Sequence, residues 1–511
     1  MKIEKNCVSE TDLLVIGGGI NGTGVALDAA TRGLRVVLCE SKDLAAETSS
    51  ASSKLVHGGL RYLEQYEFRL VKESLRERDI LLKNSPHLVH PLRFILPHNK
   101  NLRPAWIIST GLFLYDFLSG STPLKKSKRI SLRDTEEGSD FSDDFSTGFS
   151  YSDCRIDDSR MVVNNALHAQ EHGAKILLPF ECRKVEKHDR FWKAYLYGPE
   201  DNILCIHAKS IVNAGGPWVT QIIDNVFSKS STKSIRLVKG SHIVVPKLYE
   251  GNHAYILQNT DKRVIFSIPY GFVSNNQNEF TLVGTTDIDY KGDPKNAKIS
   301  IEEINYLCEL TNTYFKKKIS PASIIWDYSG VRPLYDSNDS INNPVNVTRD
   351  YYLDCEDTSG SLPLISIFGG KITTYRALSE HVVNKLQPYF PHIGPCITHV
   401  LPSTGGDACS FEEILTSVKN CYPWLDPKHA YRLASSYGTK TADVLKNAVS
   451  YEDLGKFFGF NLYQKEIEYL MKYEWTYNAE SLLWRRTKLG LWLTKEEADS
   501  LRSWMKIQLK M

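Results

Sequence analysis

The sequence predicts an α/β fold whose first domain binds a dinucleotide on a parallel sheet. Two observations near the N-terminus support this prediction. The apolar run at 13–16 leads into the glycine-rich segment 17–24, and an alanine-rich helical pattern follows. A second β-branched run, at 35–38, is followed by the acidic residue Glu40. Strand, glycine turn, helix, strand and acid in this order are typical of a Rossmann-type nucleotide-binding unit.

Three glycines of this turn have separate roles. Gly17 permits the tight turn, Gly19 lets the backbone approach a pyrophosphate, and Gly22 allows the helix to pack closely on the strand. The helix N-terminus then offers N–H groups and a positive dipole end to the phosphates. Glu40 can accept a hydrogen bond from a ribose 2′-hydroxyl, which disfavours a 2′-phosphate and hence NADP. The alternative is a glycine-rich turn that only packs, and the complete pattern favours a bound dinucleotide.

Length and composition restrict the class of protein. A chain of 511 residues can bury a large core and carry a second domain. The formal net charge of +2 gives no reason to expect a nucleic-acid partner. Ten cysteines without CxxC or Cys/His spacing argue against a structural metal and are expected to be reduced thiols. The polar N-terminus predicts no secretory signal, and no apolar run is long enough to span a bilayer, so a cytoplasmic setting is expected.

The remaining patterns suggest a chain that returns to its first sheet. Runs at 210–214 and 365–368 read as strands that enter glycine turns. We therefore expect a discontinuous nucleotide-binding domain from segments 11–75, 150–230 and 340–390. Segments 76–149 and 231–339 are expected to supply substrate and membrane contacts, the second with a mostly antiparallel sheet. Residues 401–511 predict a largely helical C-terminal domain.

The segment 102–118 has two readings. It contains Trp106, Phe113 and other apolar residues, and a basic group follows it at Lys125, Lys126, Lys128 and Arg129. Aromatic residues with flanking cations suit a helix that lies in the headgroup region of a membrane. An ordinary buried helix fits the same pattern equally well.

Nine blocks of sequence together carry a family resemblance: residues 17–24 with Glu40, 48–62, 213–218, 239–242, 284–287, 329–333, 348–350, 368–376 and 484–490. They resemble the FAD-dependent glycerol-3-phosphate dehydrogenases of the aerobic respiratory type, within the D-amino-acid-oxidase-like flavoproteins. The resemblance extends over about 11–505. The acidic segment 131–150 and the turns near 271–278 match least.

The resemblance implies a reaction and a location. FAD would be the cofactor, and sn-glycerol 3-phosphate would be oxidised to dihydroxyacetone phosphate, with a membrane quinone as electron acceptor. The enzyme would be peripheral or monotopic on the cytoplasmic side of the inner membrane. A glycerol-3-phosphate oxidase that uses oxygen is the close alternative, and a nucleotide-binding regulatory protein without turnover is the distant one. The particular quinone, the oligomeric state, with a homodimer as one option, and covalent attachment of FAD stay open.

The resemblance also implies residues around the substrate. A phosphate needs donors in a fork geometry, which arginine supplies better than lysine. Arg332 and Lys371 are the leading phosphate and hydroxyl contacts. A solvated surface charge is the alternative for any single arginine, but the neighbours of Arg61 and Arg332 in the sequence predict tight, apolar settings for both. The full set is Arg61, Tyr62, Thr286, Arg332, Arg349 and Lys371.

The residues implied around FAD are mostly small or hydroxylated. Serine hydroxyls and backbone amides can line the diphosphate, and glycines let the backbone run close to a flat ring. The set is Gly17, Gly19, Gly22, Glu40, Thr48, Ser49, Ser52, Ser53, Lys54, His57, Gly58, Ala214, Gly215, Trp218, Gly369, Gly370, Lys371 and Thr373.

The general base is predicted to be His242, which acts with Arg332 and Lys371 as the catalytic group. It alternates with apolar neighbours, so its ring can face a buried pocket, and histidine titrates in the range that proton abstraction needs. A core histidine with satisfied hydrogen bonds is the plain alternative. His57 is the rival base, although its glycine neighbours favour contact with the flavin. Lys371 or the amides after Gly369 can stabilise a reduced, anionic flavin.

Overall fold

Two β-sheets, of eight and ten strands, organise the part of the chain that the structure describes. The computed structural model describes residues 7–99, 104–133, 135–259, 263–272, 279–336, 350–357 and 360–509. Helices cover faces of both sheets, and a further group of helices forms the C-terminal part. The predicted class, a Rossmann-type α/β unit combined with an antiparallel β unit and a helical C-terminus, is confirmed.

The strands follow one another in the chain with these bounds: β1 (Cys7–Ile16), β2 (Val36–Cys39), β3 (Leu55–Val56), β4 (Val89–His98), β5 (Lys128–Ser131), β6 (Thr147–Ile156), β7 (Lys175–Leu177), β8 (Glu181–Lys187), β9 (Trp192–Tyr197), β10 (Ile203–Asn213), β11 (Ser234–Pro246), β12 (Ala254–Gln258), β13 (Val264–Tyr270), β14 (Phe280–Gly284), β15 (Ile288–Asp289), β16 (Trp326–Asp336), β17 (Tyr352–Glu356) and β18 (Leu364–Phe368).

The helices have these bounds: α1 (Ile20–Thr31), α2 (Phe68–Asn84), α3 (Ala105–Ser119), α4 (Asp158–Glu171), α5 (Val219–Val226), α6 (Ile301–Tyr314), α7 (Tyr375–Leu386), α8 (Phe411–Cys421), α9 (Pro427–Tyr437), α10 (Thr441–Leu445), α11 (Gln464–Tyr473), α12 (Ala479–Ser481) and α13 (Lys495–Gln508).

The first sheet has the strand order β17-β18-β10-β1-β2-β7, and the hairpin β8–β9 pairs onto β10. Strand β1 runs parallel to both β2 and β10. Leu13 and Val15 pack with helices α1, α4 and α7, whereas Leu14 and Ile16 pack beneath β8 and β9. Because both faces of β1 are buried, its sequence is a continuous apolar run.

The second sheet has the strand order β15-β11-β14-β13-β12-β4-β6-β3, with β16 paired to β11 and β5 to β6. Its pairings are antiparallel except for β12 with β4. Helix α6 packs on one face, and α2 and α3 pack on the other. Strands β3 and β6 pair here, although β3 and most of β6 belong to segments expected in the nucleotide-binding domain. The domain boundaries given above stay a proposal.

The C-terminal helices α8–α13 surround a core of their own. Within it the guanidinium of Arg432 makes two bonds of 2.6 and 2.7 Å to the carboxylate of Glu466. The hydroxyl of Tyr437 also donates to that carboxylate, at 2.6 Å. Since both charges of this buried pair are hydrogen-bonded, the core tolerates them.

Helix α3 presents an apolar face to solvent. The side chains of Trp106, Phe113 and Phe117 are 70%, 72% and 72% exposed, whereas Leu112 and Tyr115 on the opposite face are buried. An ordinary buried helix does not fit this arrangement. Among the described residues, no helix combines the length and apolar character needed to cross a bilayer.

Candidate cofactor and substrate site

The glycine turn after β1 has no room for side chains. Gly17 has a φ of +113°, and a Cβ there would lie 2.6 Å from the carbonyl oxygen of Ala214. A Cβ on Gly22 would lie 1.9 Å from the carbonyl oxygen of Gly17. These contacts require glycine, as predicted, and they bring the N-terminus of α1 against the ends of β1 and β10. The N–H groups of the first turn of a helix have no partner within the helix, so a helix N-terminus can bind an anion.

Glu40 lies at the end of β2, beside this turn. One carboxylate oxygen accepts from the amide of Gly18 at 2.7 Å, and the other accepts from the amide of Lys42 at 2.8 Å. Burial raises the pKa of this carboxyl group, and the backbone amides oppose the shift. The side chain is therefore fixed next to the turn, which is the position that an acceptor for a ribose hydroxyl requires.

The serine-rich loop 48–54 lies between α1 and β16. Ser49 Oγ accepts from the amide of Ile20 at 3.0 Å, in the first turn of α1. Thr48 Oγ1 donates to the carbonyl of Val331 at 2.7 Å. A cavity of about 200 Å³ lies beside this loop, and Thr48 and Trp218 both line it. Strand β16 and the C-terminal residues Trp484 and Arg485 also line it.

Two further glycine loops reach the same edge of the first sheet. The amide of Ala214 donates to the carbonyl of Ile16 at 2.9 Å, so the loop that contains Gly215 starts beside the glycine turn. After β18, Gly369 and Gly370 have φ values of +83° and +102°. Asn21 of α1 donates to the carbonyl of Gly369 at 3.1 Å. The carboxyl ends of parallel strands are where α/β sheets bind ligands.

The segment 57–58 connects the two sheets. The amide of His57 donates to Thr373 Oγ1 at 3.3 Å, and the amide of Gly58 donates to the Tyr115 hydroxyl at 2.8 Å. A Cβ on Gly58 would lie 2.5 Å from a methyl carbon of Leu75. Packing against α2 and α3 therefore requires glycine at this position, whatever lies on the other side.

Cationic side chains lie near this junction. The ammonium of Lys371 is 4.0 Å from the centre of the Tyr62 ring, and the two form a cation–π contact. Arg61, in the same short 3₁₀ segment as Tyr62, is exposed, so the prediction of a tight, apolar setting for it is wrong. Arg349, the remaining predicted arginine, lies outside the described residues.

Arg332 lies on β16 opposite Val238 of β11. Its Nη2 donates to the carbonyl of Thr286 at 3.3 Å and to a carboxylate oxygen of Asp287 at 3.1 Å. The side chain is 35% exposed, so the guanidinium is neither buried nor fully solvated. A guanidinium carries its five N–H donors in a planar fork that matches the geometry of a phosphate.

Thr286 is buried, with its hydroxyl inside the protein. The hydroxyl donates to Glu303 at 2.7 Å and accepts from the amide of Ser241 at 2.9 Å. Its carbonyl, rather than its hydroxyl, contacts Arg332. Glu303 also accepts from Ser241 Oγ at 2.8 Å and pairs with Lys239 at 2.7 Å. Burial raises the pKa of Glu303, but these hydrogen bonds lower it further than burial raises it. The sequence shows Glu303 only as a helix-capping residue after Ser300.

His242 is almost fully buried, with a 2% exposed side chain. Its Nε2 lies 2.9 Å from Ser53 Oγ, and its ring stacks on Tyr328 with the ring centres 4.8 Å apart. Nδ1 has no hydrogen-bond partner among the described residues. Burial, then the positive charges of Lys54 and Arg332, hold the pKa of this imidazole well below its usual value of 6.5. The ring is therefore neutral near pH 7, as a proton acceptor must be.

Residues 12–376 match the family of FAD-dependent oxidoreductases. This chain belongs to that family. Residues 396–509 match a second family, the C-terminal domain of alpha-glycerophosphate oxidase. The two matches together cover both β-sheets and the C-terminal helices. The resemblance recognised in the sequence motifs is confirmed.

Curated relatives in the FAD-dependent oxidoreductase family match nearly the whole chain. The glycerol-3-phosphate dehydrogenase of Pseudomonas aeruginosa is 48% identical over 97% of this chain and 94% of its own length. The aerobic glycerol-3-phosphate dehydrogenase of Escherichia coli is 46% identical, over 97% of each chain. The D-erythritol 1-phosphate dehydrogenase of Brucella abortus is 45% identical over 96% of this chain and 97% of its own length.

Solved structures agree with this family assignment. The glycerol-3-phosphate dehydrogenase from Bacillus halodurans, in complex with FAD, has a TM-score of 0.74 and 25% identity, covering 99% of this chain and 95% of that chain. The L-alpha-glycerophosphate oxidase from Mycoplasma pneumoniae, with a TM-score of 0.56 and 14% identity, covers 75% of this chain and 95% of that chain. At that identity the second structure shows the fold alone.

FAD is the cofactor of the family, and the described residues fit it. The glycines at 17 and 22 let the N-terminus of α1 pack against the ends of β1 and β10, and Glu40 is fixed beside this turn, where a ribose hydroxyl can donate to it. The loops that start at 48, 214 and 369 meet at one sheet edge, which provides a continuous surface for an extended dinucleotide. The individual FAD and substrate contacts given above remain predictions.

Proposed function

We propose that this protein oxidises sn-glycerol 3-phosphate to dihydroxyacetone phosphate and passes the electrons to a membrane quinone. The main support is the 46–48% identity, over 97% of the chain, to two glycerol-3-phosphate dehydrogenases. The cationic side chains at the junction of the two sheets also support an anionic substrate. The reaction breaks the C2–H bond as a hydride and removes the hydroxyl proton, and the quinone leaves as quinol with two electrons and two protons.

Arg332 would hold the substrate phosphate, with Arg61 and Arg349 as further donors. Charge-assisted bonds from arginine to phosphate are strong and directional. Lys371 would contact the substrate hydroxyls, because its ammonium lies over the ring of Tyr62 at the same junction. These contacts would fix C2 against the acceptor atom, and fixed geometry supplies a large part of the rate.

His242 would accept the hydroxyl proton. Its ring is neutral and buried, and Ser53 holds Nε2, so the orientation of the ring is set before substrate binds. Bound FAD supplies the hydride acceptor. His57 is the rival for the proton, since its amide is fixed by Thr373 in the same region.

The exposed face of α3 supports a peripheral membrane site. Trp106, Phe113 and Phe117 form an apolar surface, and the exposed cations Lys125, Lys126, Lys128 and Arg129 follow it in the chain. Such a face can enter the headgroup region while the cations meet anionic lipids. We place this face on the cytoplasmic side of the inner membrane, where a lipid-dissolved quinone can approach the enzyme.

D-Erythritol 1-phosphate is a second candidate substrate. The D-erythritol 1-phosphate dehydrogenase is 45% identical, almost the same as the glycerol-3-phosphate dehydrogenases. Both substrates are small polyol phosphates, so the same arginine contacts serve either. Erythritol 1-phosphate has one more carbon and one more hydroxyl than glycerol 3-phosphate. A site that hydrogen-bonds the additional hydroxyl can discriminate strongly between the two substrates.

The deciding experiment is an anaerobic titration of the purified holoprotein with each polyol phosphate in turn. We expect glycerol 3-phosphate to bleach the flavin absorbance band at lower concentration than erythritol 1-phosphate. The reverse order would favour the second substrate, and no bleaching by either would contradict the proposal. Reoxidation with a soluble quinone analogue and with oxygen, with peroxide measured, then separates a dehydrogenase from an oxidase.

A further inference from the structure

The carboxylate of Asp158, the first residue of α4, binds the serine-rich loop 48–54. Oδ2 accepts from the amide and the hydroxyl of Ser52, at 3.2 and 2.7 Å, and from the ammonium of Lys54 at 2.6 Å. Oδ1 accepts from the amide of Ser159 at 2.8 Å. The side chain is fully buried. One carboxylate thus holds the loop at two residues.

Lys54 extends this attachment. Its ammonium is buried, lies 4.8 Å from the centre of the Tyr328 ring, and donates to the carbonyl of Ser50 as well as to Asp158. The backbone of Lys54 has a φ of +58°, a left-handed conformation that few non-glycine residues adopt. A buried ammonium is tolerated only when it is paired and hydrogen-bonded. The pair therefore fixes the loop at residues 50, 52 and 54.

The alternate residues of the loop face the other way. Ser49 accepts from Ile20 at the start of α1, and Ser53 contacts Nε2 of His242. Ala51 lies against β16, where a Cβ on Gly330 would be 2.8 Å from the Ala51 side chain. Ser52 and Lys54 therefore attach the loop to Asp158 directly, and Ser50 is attached through Lys54. Residues 49, 51 and 53 contact the dinucleotide helix and the second sheet, which the carbonyl of Ser52 also contacts through the hydroxyl of Tyr328.

The adjacent carboxylate, that of Asp157, has different partners. Its Oδ1 accepts from the amide of Arg160 at 3.1 Å and so caps α4. The same oxygen lies 3.3 Å from the ammonium of Lys488 in the C-terminal part. No hydrogen bond from the described loop residues reaches it. Two neighbouring carboxylates at one helix end thus serve separate partners.

We propose that Asp158 is a positioning residue for the cofactor and the base. It holds the loop so that Ser49 faces the dinucleotide and Ser53 faces His242, and it touches neither the cofactor nor the substrate itself. The inference rests on the cofactor contact proposed for this loop. Lys54, predicted from the family pattern to contact FAD, acts through the same attachment.

The test compares Asp158→Asn with Asp157→Asn in the full-length protein. FAD dissociation constants are measured by reconstituting the apoprotein, and flavin reduction by glycerol 3-phosphate is followed over a range of pH at saturating FAD. We expect Asp158→Asn to weaken FAD binding about tenfold or more, because FAD binding must then supply the free energy of ordering the loop, which is about that of one charge-assisted hydrogen bond. Its pH profile should also shift, because Ser53 no longer holds His242. Asp157→Asn should lower the melting temperature and change FAD affinity less than about twofold.

Equal FAD affinities for the two variants would overturn the proposal. If Asp158→Asn fails to fold because it leaves Lys54 as an unpaired buried cation, the double variant Lys54→Met/Asp158→Leu removes both charges and should show the same loss. Ser49→Ala separates this inference from the proposed cofactor contact. Weaker FAD binding in Ser49→Ala alone refutes the role of Asp158, whereas unchanged binding in all variants refutes the cofactor contact of the loop as well.

Discussion

Ser53 Oγ and His242 Nε2, 2.9 Å apart, join the serine-rich loop to strand β11. A hydroxyl can donate or accept, so this contact is coupled to the tautomer of the imidazole. If Nε2–H donates to Ser53, Nδ1 carries the lone pair and can accept a proton. That nitrogen is buried and has no hydrogen-bond partner among the described residues. In that tautomer the contact with Ser53 orients the ring and leaves Nδ1 as the proton acceptor.

His242→Ala should slow flavin reduction by about 10²–10⁴-fold, the usual contribution of a general base. Rapid mixing of glycerol 3-phosphate with the oxidised holoprotein measures the rate of flavin reduction. In the wild type the rate of flavin reduction should not change with pH above about pH 6.5. At lower pH the rate should decrease once the imidazole becomes protonated, because a protonated ring cannot act as the base. The pKa of the ring is held well below 6.5, so this fall belongs on the acid side. Traces identical to wild type would transfer the role to His57 or to water.

Arg332→Ala should weaken binding of the polyol phosphate by about ten- to a hundredfold, because a charge-assisted hydrogen bond contributes about 1.5–3 kcal/mol. Arg236→Ala is the matched control on the neighbouring strand. Arg236 pairs with Asp289 at 2.6 Å and is similarly exposed, but nothing in the family pattern places it at the substrate. Equal losses in the two variants would mean that general charge, and not a specific contact, attracts the phosphate.

The nucleotide-binding part of the fold could be predicted because its signals are local. At Gly17 and Gly22 a Cβ would collide with backbone atoms, so the glycines at these positions in the sequence indicate the turn directly. Strand β1 is buried on both faces, and its apolar run reports that too. The assignment of β3 and β6 to the second sheet could not be predicted, because strand partners are set by contacts between distant residues.

The site shows the same limit. Arg332 and His242 were singled out from family motifs, but their partners Thr286, Ser53 and Tyr328 come from other parts of the chain. The hydroxyl of Thr286 faces Glu303, which no local pattern reveals because Glu303 reads as a helix cap. The aromatic face of α3 was ambiguous in sequence, since apolar periodicity does not say which side of a helix meets the core.

Membrane attachment through α3 has a direct test. Replacing Trp106 and Phe113 together by Asp puts two charges on the exposed apolar face and should release the protein from anionic liposomes in a sedimentation assay. Val449→Asp is the control, because Val449 is similarly exposed, at 76%, but belongs to the C-terminal part and not to α3. Continued sedimentation of the double variant with liposomes would exclude this face as the membrane contact.

His87 predicts an acid-sensitive fold. Its ring is fully buried, and burial, with a smaller effect of Arg160, lowers its pKa from 6.5 to about 3. Below about pH 6.5 the unfolded chain therefore binds a proton that the folded chain does not. The free energy of unfolding should fall by about 1.4 kcal/mol per pH unit for this group as the pH drops towards 3.

Urea unfolding of wild type and His87→Gln at about pH 7, 6 and 5 measures this slope. The free energy of unfolding of the variant should change less steeply with pH, by the amount that corresponds to one proton. This difference in slope does not depend on how the substitution changes stability at pH 7. Other buried histidines with lowered pKa, such as His168 and His253, remain in both proteins and cancel in the comparison. Parallel pH dependences for His87→Gln and wild type would show that the His87 ring is not held neutral by the fold.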